Sequence, residues 1–422
     1  MRVIVVGAGI GGLALACGLQ RNGIDVEVYE RDTNLAHTGG YHLHLNQRAL
    51  CALRRLLESH VVEQLYASSA SGRADESFAM RDYRGRLFKL GRSDTAEQSL
   101  NVDRATLRLL LGRSAASAVQ LGKTYVGCEL GADGTVEARF SDGSHSRGDL
   151  LVGADGVASR VAQALAGKPT SAPVGLIGIG GLTPADGLSP SAASLLGSHS
   201  TFALGPWGTG LYIGYHDPYG DAVIKTQLVE PPATRAATYI WGAMVAESDE
   251  ACELMELKGD DLREATGALF QRRGWSRRLL TVIEHAQTEG LAAFRLYAAV
   301  DSAELAPWPA SRVTALGDAV HAVPPTGGQG AATAIIDADI LCHELLAAVR
   351  GDKAVTMAIN DFYSQMRTYA GIALVESLRP VSWIRSTNNP VGATILRTVL
   401  PVVTPFAAAQ RGANRVTARL RG

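Results

Sequence analysis

Apolar and small residues follow one another along the first part of the chain in a pattern that predicts a strand, a turn and a helix. Arg2 to Val6 contains a short apolar run rich in β-branched residues, and Leu13 to Leu19 carries apolar residues at helical spacing. Asn22-Gly23 ends this helix, after which Ile24 to Tyr29 alternates apolar and polar positions. The pattern therefore predicts a complete βαβ unit.

Later stretches predict further helices and two kinds of sheet. Residues 46–57 carry leucines at helical spacing, and Asp103 is placed to cap a helix that begins at Arg104. Residues 124–152 divide into short strands separated by glycine-containing turns, which is typical of a β-meander. Between residues 170 and 287, glycine, proline and aromatic residues separate short apolar runs, so we expect a separate antiparallel sheet there.

The chain then returns to longer apolar patterns. Arg312 to Leu316 predicts an apolar strand, and Ala331 to Val349 predicts a long helix rich in alanine, isoleucine and leucine. Val391 to Ala409 is also apolar, but one arginine and two prolines interrupt it. Packed C-terminal helices are therefore favoured over a membrane-spanning helix, and contact with a membrane is not expected.

Composition narrows the range of partners. The chain has 422 residues, 46 of them glycine, and its formal net charge of -1 provides no general field for binding nucleic acid or an anionic membrane. Its five cysteines are scattered without a CxxC pair or a histidine cluster, so we expect reduced thiols and no metal site. These features favour a small-molecule partner and a cytoplasmic protein of two lobes.

A glycine-rich turn follows the first predicted strand, with the sequence Gly7-Ala8-Gly9-Ile10-Gly11-Gly12. In this GxGxxG spacing the first glycine permits a tight turn, the second admits a pyrophosphate close to the backbone, and the third lets helix and strand pack closely. The helix N-terminus then faces the anion with free N–H groups. Glu30, followed by Arg31, is placed to accept hydrogen bonds from ribose hydroxyls. The unit predicts a dinucleotide site, but it does not distinguish FAD from NAD.

A second glycine-rich loop lies far downstream. The strand predicted over Arg312 to Leu316 leads into an acid, a Pro-Pro and Gly-Gly loop follows, and a helix is predicted to begin near Gly330. This helix start is also suited to an anion, so one cofactor long enough to meet both helix starts is implied. The residues of this loop predicted to contact the cofactor are Gly317, Asp318, Pro325, Gly328, Gly330 and Ala331.

These two motifs, together with Gly153 to Arg160 between them, resemble the FAD-dependent class A aromatic monooxygenases, the family of the p-hydroxybenzoate and phenol hydroxylases. The resemblance implies bound FAD, with Asp318 bonding the ribityl chain and Gly327 to Gly330 placing N–H groups near the isoalloxazine. It also implies that Arg104 lies near the FAD pyrophosphate. Asp155 would lie near both the FAD and the route of the nicotinamide.

The same resemblance implies a reaction. NAD(P)H would reduce the FAD, O2 would add to form a flavin hydroperoxide, and an electron-rich substrate would attack its distal oxygen. The expected outcome is hydroxylation or epoxidation of an aromatic or polycyclic secondary metabolite. Two alternatives stay open: a reductase or dehydrogenase of the same fold without oxygen insertion, and a non-catalytic flavin-binding protein.

Several polar residues keep more than one interpretation. Asp155 also suits a turn that joins the two lobes, and the position of His321 favours a structural role over that of a catalytic base. Asp337 and Asp339 are expected to be ordinary helix acids, because metal binding would need more converging oxygens. The substrate pocket is expected between the lobes. Its candidate residues, with simple packing or a solvated strand face as the alternative for each, are Tyr212, Tyr215, His216, Arg295 and Tyr297.

The predicted fold is α/β, with a Rossmann-like FAD-binding domain, an inserted antiparallel-sheet substrate domain and C-terminal helices. The predicted FAD-binding domain is divided into three parts along the chain. Its parts are residues 1–70, 101–170 and 288–350, with the substrate lobe at 71–100 and 171–287 and the helical region at 351–422.

Overall fold

The computed structural model describes residues 1–36, 42–72, 77–92, 99–197, 200–217, 237–300 and 305–399. Its strands are β1 (Arg2–Val6), β2 (Asp25–Tyr29), β3 (His42–Leu45), β4 (Ala70–Gly72), β5 (Ser77–Asp82), β6 (Leu87–Arg92), β7 (Ser99–Asp103), β8 (Val119–Gln120), β9 (Tyr125–Leu130), β10 (Val136–Phe140), β11 (His145–Gly148), β12 (Leu150–Gly153), β13 (Ser171–Pro184), β14 (Thr201–Gly205), β15 (Thr209–His216), β16 (Thr238–Ala246), β17 (Ala292–Ala299) and β18 (Val313–Ala315). Its α-helices are α1 (Ile10–Arg21), α2 (Gln47–Leu56), α3 (Ser59–Ala67), α4 (Arg104–Ser114), α5 (Arg160–Ala166), α6 (Pro190–Leu196), α7 (Asp249–Glu253), α8 (Gly259–Arg272), α9 (Arg277–Glu284), α10 (Asp318–His321), α11 (Gly330–Val349), α12 (Val355–Ser386) and α13 (Pro390–Thr394). The remaining helical turns are 3-10 at Ala185–Gly187 and Pro325–Gly327, and π at Ile395–Val399.

A five-stranded parallel sheet forms the centre of the first lobe, in the order β18-β12-β1-β2-β8. β1 lies between β12 and β2 and pairs in parallel with both. Its β-branched run is buried because a parallel sheet is covered on both faces, here on one side by α1, in which every residue from Ile10 to Leu19 is buried. The predicted βαβ unit, the strand near residue 314 and the long helix α11 are all confirmed.

Two smaller sheets flank this lobe. β9, β10 and β11 form the predicted antiparallel meander. The next strand, β12, belongs to the parallel sheet instead. β7 lies between β3 and β4 in a second small sheet. The helices predicted after Asn46 and Asp103 are confirmed as α2 and α4, and both caps accept a backbone N–H, from Ala49 and Thr106 respectively.

A seven-stranded sheet forms the second lobe, in the order β17-β13-β16-β15-β14-β5-β6. β5 and β6 come from residues 71–100 and β13 to β16 come from residues 171–287, the two segments predicted to form this lobe. β17 also belongs to the sheet, because it pairs with β13 in antiparallel register. The boundary predicted at residue 287 is therefore too early, since the return of β17 to β13 is a long-range pairing that no local pattern reveals.

The two faces of the seven-stranded sheet meet different partners. One face buries Ile213, Trp241 and Ala243 against α8 and α9. Side chains alternate along each strand, so the neighbours of these residues in β15 and β16 point to the opposite face. There, a Cβ added to Gly210 would lie 2.8 Å from the Cδ1 atom of Ile384 in α12. The second face is thus turned toward α12, which also packs on α11 of the first lobe.

The C-terminal region is helical as far as Val399. α12 buries Phe362 and Met366 in the core of the first lobe, and Val381 and Ile384 in the core beside the second sheet. One helix therefore ties the two lobes together. The apolar run noted at 391–409 continues past residue 399, beyond the described part of the chain. Among the helices of the described residues, none has an apolar stretch long enough to cross a bilayer.

Candidate functional site

The first glycine turn can be built only from glycine at two of its positions. Gly7 has a φ of 106°, and a Cβ added to it would overlap the carbonyl oxygen of Ala154. A Cβ on Gly12 would overlap the carbonyl oxygen of Gly7. Gly9 is the N-cap of α1 without a capping side chain, and no acid lies in the first helical turn. The helix start is therefore left to a bound anion, as a pyrophosphate site requires.

The three sequence motifs meet at the carboxyl ends of neighbouring parallel strands. The N–H of Ala154 donates to the Val6 carbonyl at 2.7 Å, and the N–H of Leu316 donates to the Gly153 carbonyl at 2.9 Å. A Cβ on Gly11 would lie 2.8 Å from the Leu316 side chain, so this glycine lets α1 approach β18 closely. Carboxyl ends of parallel strands are where open α/β sheets bind ligands, and the three motifs share one such crevice.

Glu30 is buried at the end of β2 and holds the glycine turn in place. Its Oε2 atom accepts the N–H of Ala8 at 2.7 Å, and its Oε1 atom accepts the N–H of Asp32 at 3.0 Å. The carboxylate is thus fixed beside the turn, where a ribose hydroxyl is expected to bind. Arg31, the next residue, is exposed.

Arg108 is a buried cation at this site that the sequence patterns did not identify. Its Nε atom donates to the Ala8 carbonyl at 2.9 Å, and its guanidinium lies 3.3 Å from Glu30 and 3.4 Å from Asp32. Arg104 stands four residues earlier on α4, and this spacing places both arginines on one helix face. The sequence signal that could have identified Arg108 is this second arginine, one helical turn after Arg104, on a helix otherwise rich in leucine.

Replacing Arg108 with methionine is expected to weaken FAD binding by about tenfold or more, because the Ala8 carbonyl and the Glu30 carboxylate lose a charged hydrogen-bond donor in a buried site. Titration of the apoprotein with FAD, followed by flavin fluorescence, measures the affinity. Arg113→Met is the matched control, because Arg113 is exposed in the last turn of the same helix. Equal FAD affinity in the two variants would remove Arg108 from the cofactor site.

Arg104, predicted to lie near the FAD pyrophosphate, and Asp318, predicted to bind the ribityl chain, lie close enough to interact electrostatically. Burial lowers the pKa of Arg104, although the Asp318 carboxylate opposes this shift. Burial likewise raises the pKa of Asp318. The enclosed Oδ1 atom of Asp318 has no hydrogen-bond partner among the described residues, and a Cβ on Gly330 would lie 3.7 Å from it. An unpaired acceptor between a cation and a helix start suits a sugar hydroxyl of a dinucleotide.

The second glycine loop is open on one side and supported on the other. Gly327 and Gly328 are exposed, Gly328 has a φ of 63°, and Pro325 is exposed beside them. On the supported side, a Cβ on Gly327 would overlap Ser377 of α12. α11 begins after this loop, at Gly330 and Ala331, without a capping side chain or an acid in its first turn. The exposed backbone and the uncapped helix form the second half of the cradle.

Asp337 is the residue whose expected role the structure changes most. Instead of being an ordinary helix acid, it is fully buried and accepts the N–H of Gly317 at 2.7 Å, the Nε2 atom of His321 at 2.6 Å and the hydroxyl of Tyr369. Burial alone would lower the pKa of His321, but the Asp337 carboxylate raises it overall. His321 is completely buried in this network, which supports the structural role predicted for it, and the network fixes Gly317 next to Asp318.

Asp339 and Asp155 have mainly structural contacts. Asp339 forms a two-pronged ion pair with Arg55 near the surface, as expected for a helix acid. The carboxylate of Asp155 accepts the Ser159 hydroxyl and, at 2.8 Å, the N–H of Arg160, so it caps the start of α5. These contacts support the turn interpretation of Asp155, while the nicotinamide role stays a prediction.

Strand alternation divides the five candidate pocket residues between the two sheet faces. Tyr212 and His216 lie on the face turned toward the first lobe, since they alternate with Leu211 and Ile213 of the opposite core. Tyr215 packs edge-on against Tyr239 on the other face. The remaining candidates, Arg295 and Tyr297, lie on β17 on either side of Leu296. Leu296 points to the first-lobe side, so these two residues point to the same face as Tyr215.

Arg295 is committed to an ion pair away from the lobe boundary. Its guanidinium lies 2.7 Å from the carboxylate of Glu247 and also contacts the thiol of Cys252. The structure therefore brings Tyr212 and His216 to the boundary and leaves Tyr215, Arg295 and Tyr297 outside it, because a single step along a strand reverses the face. His216 packs there on His42 of β3, with ring centroids 3.8 Å apart, and His42 was not among the predicted residues.

A family model described as an FAD binding domain matches residues 1–215 and 258–377 of the chain. Two curated relatives are each 28% identical to it. The dual O-methyltransferase/FAD-dependent monooxygenase CTB3 of Cercospora beticola aligns with 87% of this chain and 44% of its own length. The FAD-dependent monooxygenase sor5 of Hypocrea jecorina aligns with 93% of this chain and 86% of its own length. The chain thus spans less than half of the first relative.

The fold of the chain is also similar to that of a solved structure. A candidate FAD-containing monooxygenase from Photorhabdus luminescens superimposes with a TM-score of 0.74 and 28% sequence identity, over 90% of this chain and 97% of that one. The crevice described above therefore lies in a fold shared with flavin-containing proteins.

Proposed function

The chain belongs to the FAD-binding family of the class A flavin-dependent monooxygenases, and on that basis we propose that it is itself an FAD-dependent monooxygenase. It takes electrons from NAD(P)H and one oxygen atom from O2, and it hydroxylates or epoxidises an aromatic or polycyclic metabolite. The observation that carries this proposal is the convergence of three motifs on one crevice with two uncapped helix starts, those of α1 and α11. Such a crevice suits an extended dinucleotide whose pyrophosphate meets one helix start and whose flavin ring meets the other.

The residues of the crevice fit FAD from one end to the other. The start of α1 would hold the pyrophosphate, with Arg104 nearby, and Glu30 would hold the adenosine ribose. Asp318 would accept a hydrogen bond from the ribityl chain, and the backbone at Gly327 and Gly328 would lie along the isoalloxazine. Bound FAD supplies the redox chemistry that activates O2, so no protein nucleophile is required.

The sheet face across the lobe boundary suits a flat substrate. Gly242 stands between Gly180 and Tyr212 in neighbouring strands, so two glycines lie side by side on this face. A Cβ on Gly242 would meet no atom within 4 Å among the described residues, and Tyr212 beside it is 37% exposed. A patch without side chains, bordered by an aromatic ring, favours contact with a planar ring system.

Gly242→Phe is expected to fill this patch and to weaken substrate binding by about tenfold or more, while FAD content and the unfolding midpoint stay unchanged. The reason is that the ring would start from a Cβ that meets no atom within 4 Å among the described residues and would extend over the substrate face. Substrate affinity is measured from the perturbation of the flavin absorption spectrum. Gly127→Phe is the control, since Gly127 also lies in a strand, and an added Cβ there would meet no atom within 4 Å in the described part of the chain. Equal substrate affinity in both variants would place the pocket elsewhere.

The proposed function is tested by screening the purified FAD-loaded protein for NADPH and NADH oxidation with aromatic and polycyclic compounds. Mass spectrometry of each mixture identifies products heavier by one oxygen atom. We expect at least one compound to accelerate NAD(P)H oxidation and to gain an oxygen. Reduction or dehydrogenation of the compounds without oxygen gain would favour a reductase or dehydrogenase of the same fold instead.

A further inference from the structure

Two histidines from different lobes meet beside the predicted flavin loop. His42 lies on β3 of the first lobe and His216 lies on β15 of the second, with their ring centroids 3.8 Å apart. His44 shares the strand and the face of His42, and a Cβ on Gly328 would lie 3.9 Å from the Cβ atom of His44. β3 therefore runs from the glycine loop to the sheet of the second lobe, and the pair lies where the lobes meet.

The polar atoms of this pair are enclosed but not satisfied. Both ring nitrogens of His42 and the Nε2 atom of His216 have no hydrogen-bond partner among the described residues. His216 is 3% exposed. Thr238 of β16 is paired directly with His216 of β15, so their side chains share a face, and its buried hydroxyl also has no partner in the described part of the chain. Native proteins pair nearly all buried polar groups, so this cluster is arranged for a group that the described residues do not provide.

Both imidazoles are neutral near pH 7. Burial lowers the pKa of His216 to about 4, with the neighbouring Asp217 opposing that shift. Burial lowers the pKa of His42 well below its usual value, and His216 lowers it further. A neutral imidazole has one donor and one acceptor nitrogen, and it has no charge with which to attract a carboxylate. The cluster is therefore matched to a neutral group that both donates and accepts hydrogen bonds.

We propose that His42 and His216 bind a hydroxyl group of the substrate, of the phenol or enol class, and so orient its ring toward the flavin loop. The hydroxyl donates to an unprotonated ring nitrogen of one histidine and accepts from the protonated nitrogen of the other, with no proton transfer needed for binding. Thr238 adds a further polar contact. This proposal rests on the proposed monooxygenase function, because it identifies the substrate class of the same pocket.

The test compares 2-naphthol with 2-methoxynaphthalene, whose oxygen carries a methyl group in place of the hydroxyl hydrogen and so accepts a hydrogen bond but cannot donate one. Their affinities for the oxidised, FAD-loaded protein are measured from the flavin difference spectrum, with no NAD(P)H present. We expect 2-naphthol to bind about tenfold more tightly than its ether, because only the naphthol donates a hydrogen bond to an unprotonated ring nitrogen of the pair. The leucine variant that removes the accepting histidine, His42→Leu or His216→Leu, should lower this ratio to about twofold or less, whereas the other leucine variant should weaken the binding of both probes.

His216→Asn guards against a general packing defect, because asparagine keeps one donor and one acceptor group and should preserve most of the preference for 2-naphthol. His343→Leu is the remote control, since the His343 side chain is 76% exposed on α11. Equal affinity of the wild-type protein for the two probes, including no binding of either, overturns the proposal. An unchanged ratio in both leucine variants also overturns it.

The outcome is separable from that of the monooxygenase proposal. A preference for 2-naphthol that one of the two leucine variants abolishes, in a protein that never inserts oxygen into any compound, would remove the monooxygenase function and keep the binding site. Oxygen insertion by a protein that does not distinguish the probes would remove the binding site and keep the function.

Discussion

Gly12→Ala is expected to lower FAD affinity by about a hundredfold or more, equivalent to about 2.7 kcal/mol, and to yield purified protein without flavin colour. A Cβ at this position would overlap the carbonyl oxygen of Gly7 and lie 3.0 Å from the Cβ atom of Ala154. The overlapping atom belongs to the backbone, which cannot rotate away as a flexible side chain can. The turn must therefore open, and α1 must move away from the anion site. FAD content after gel filtration and titration of the apoprotein measure the effect.

Gly267→Ala is the matched control for this substitution. Gly267 lies inside α8, where an added Cβ would meet no atom within 4 Å among the described residues. Alanine in a helix interior is favoured over glycine by up to about 1 kcal/mol, so this variant should be as stable as the parent or more stable. Full retention of FAD by Gly12→Ala would show that the turn does not hold the cofactor.

Asp337→Ala is expected to destabilise the protein by about 3–5 kcal/mol, because removing one partner of a buried charged pair leaves the other unpaired. His321 and Tyr369 would lose their shared acceptor, and the N–H of Gly317 would lose its own. The midpoint of urea unfolding, followed by fluorescence, measures the loss. FAD affinity should fall as well, since Gly317 precedes Asp318.

The difference between wild type and Asp337→Ala should depend on pH. The Asp337 carboxylate raises the pKa of His321 above its unfolded value, although burial acts in the opposite direction. The charged pair therefore contributes fully below the ordinary histidine pKa, and its contribution is lost as pH rises through the raised value in the folded protein. Unfolding midpoints of both proteins over this pH range should converge as pH increases.

Asp339→Ala on the same helix separates this effect from a loss of helix charge. Asp339 pairs with Arg55, whose side chain is 62% exposed, so the expected cost is about 1 kcal/mol or less. Similar losses in the two variants would contradict a special role for the buried network around Asp337.

The parts of the fold that the sequence predicted are those encoded locally. The βαβ unit, the caps Asn46 and Asp103, the meander and α11 each follow from neighbouring residues, and each is confirmed. The glycine spacing was equally informative, because Gly7 and Gly12 have no alternative in a turn this tight. Long-range pairing was not encoded in this way, which explains why the boundary at residue 287 omitted β17.

The site residues that sequence reasoning missed are those whose partners are distant along the chain. Asp337 is one acid in an apolar helix, and its partner Tyr369 lies on another helix. Arg108 reaches Ala8 across 100 positions. His42 meets His216 only because β3 and the second sheet come together. Alternation within β15 could have separated Tyr212 and His216 from Tyr215, but only the packing showed which face meets the first lobe.

The most direct test of oxygen insertion is turnover under ¹⁸O2 in ordinary water, with NAD(P)H and a compound identified by the screen. If the protein is an FAD-dependent monooxygenase, the product gains one oxygen atom and that atom is ¹⁸O. Consumption of NAD(P)H with a product that contains no ¹⁸O would contradict the proposed function.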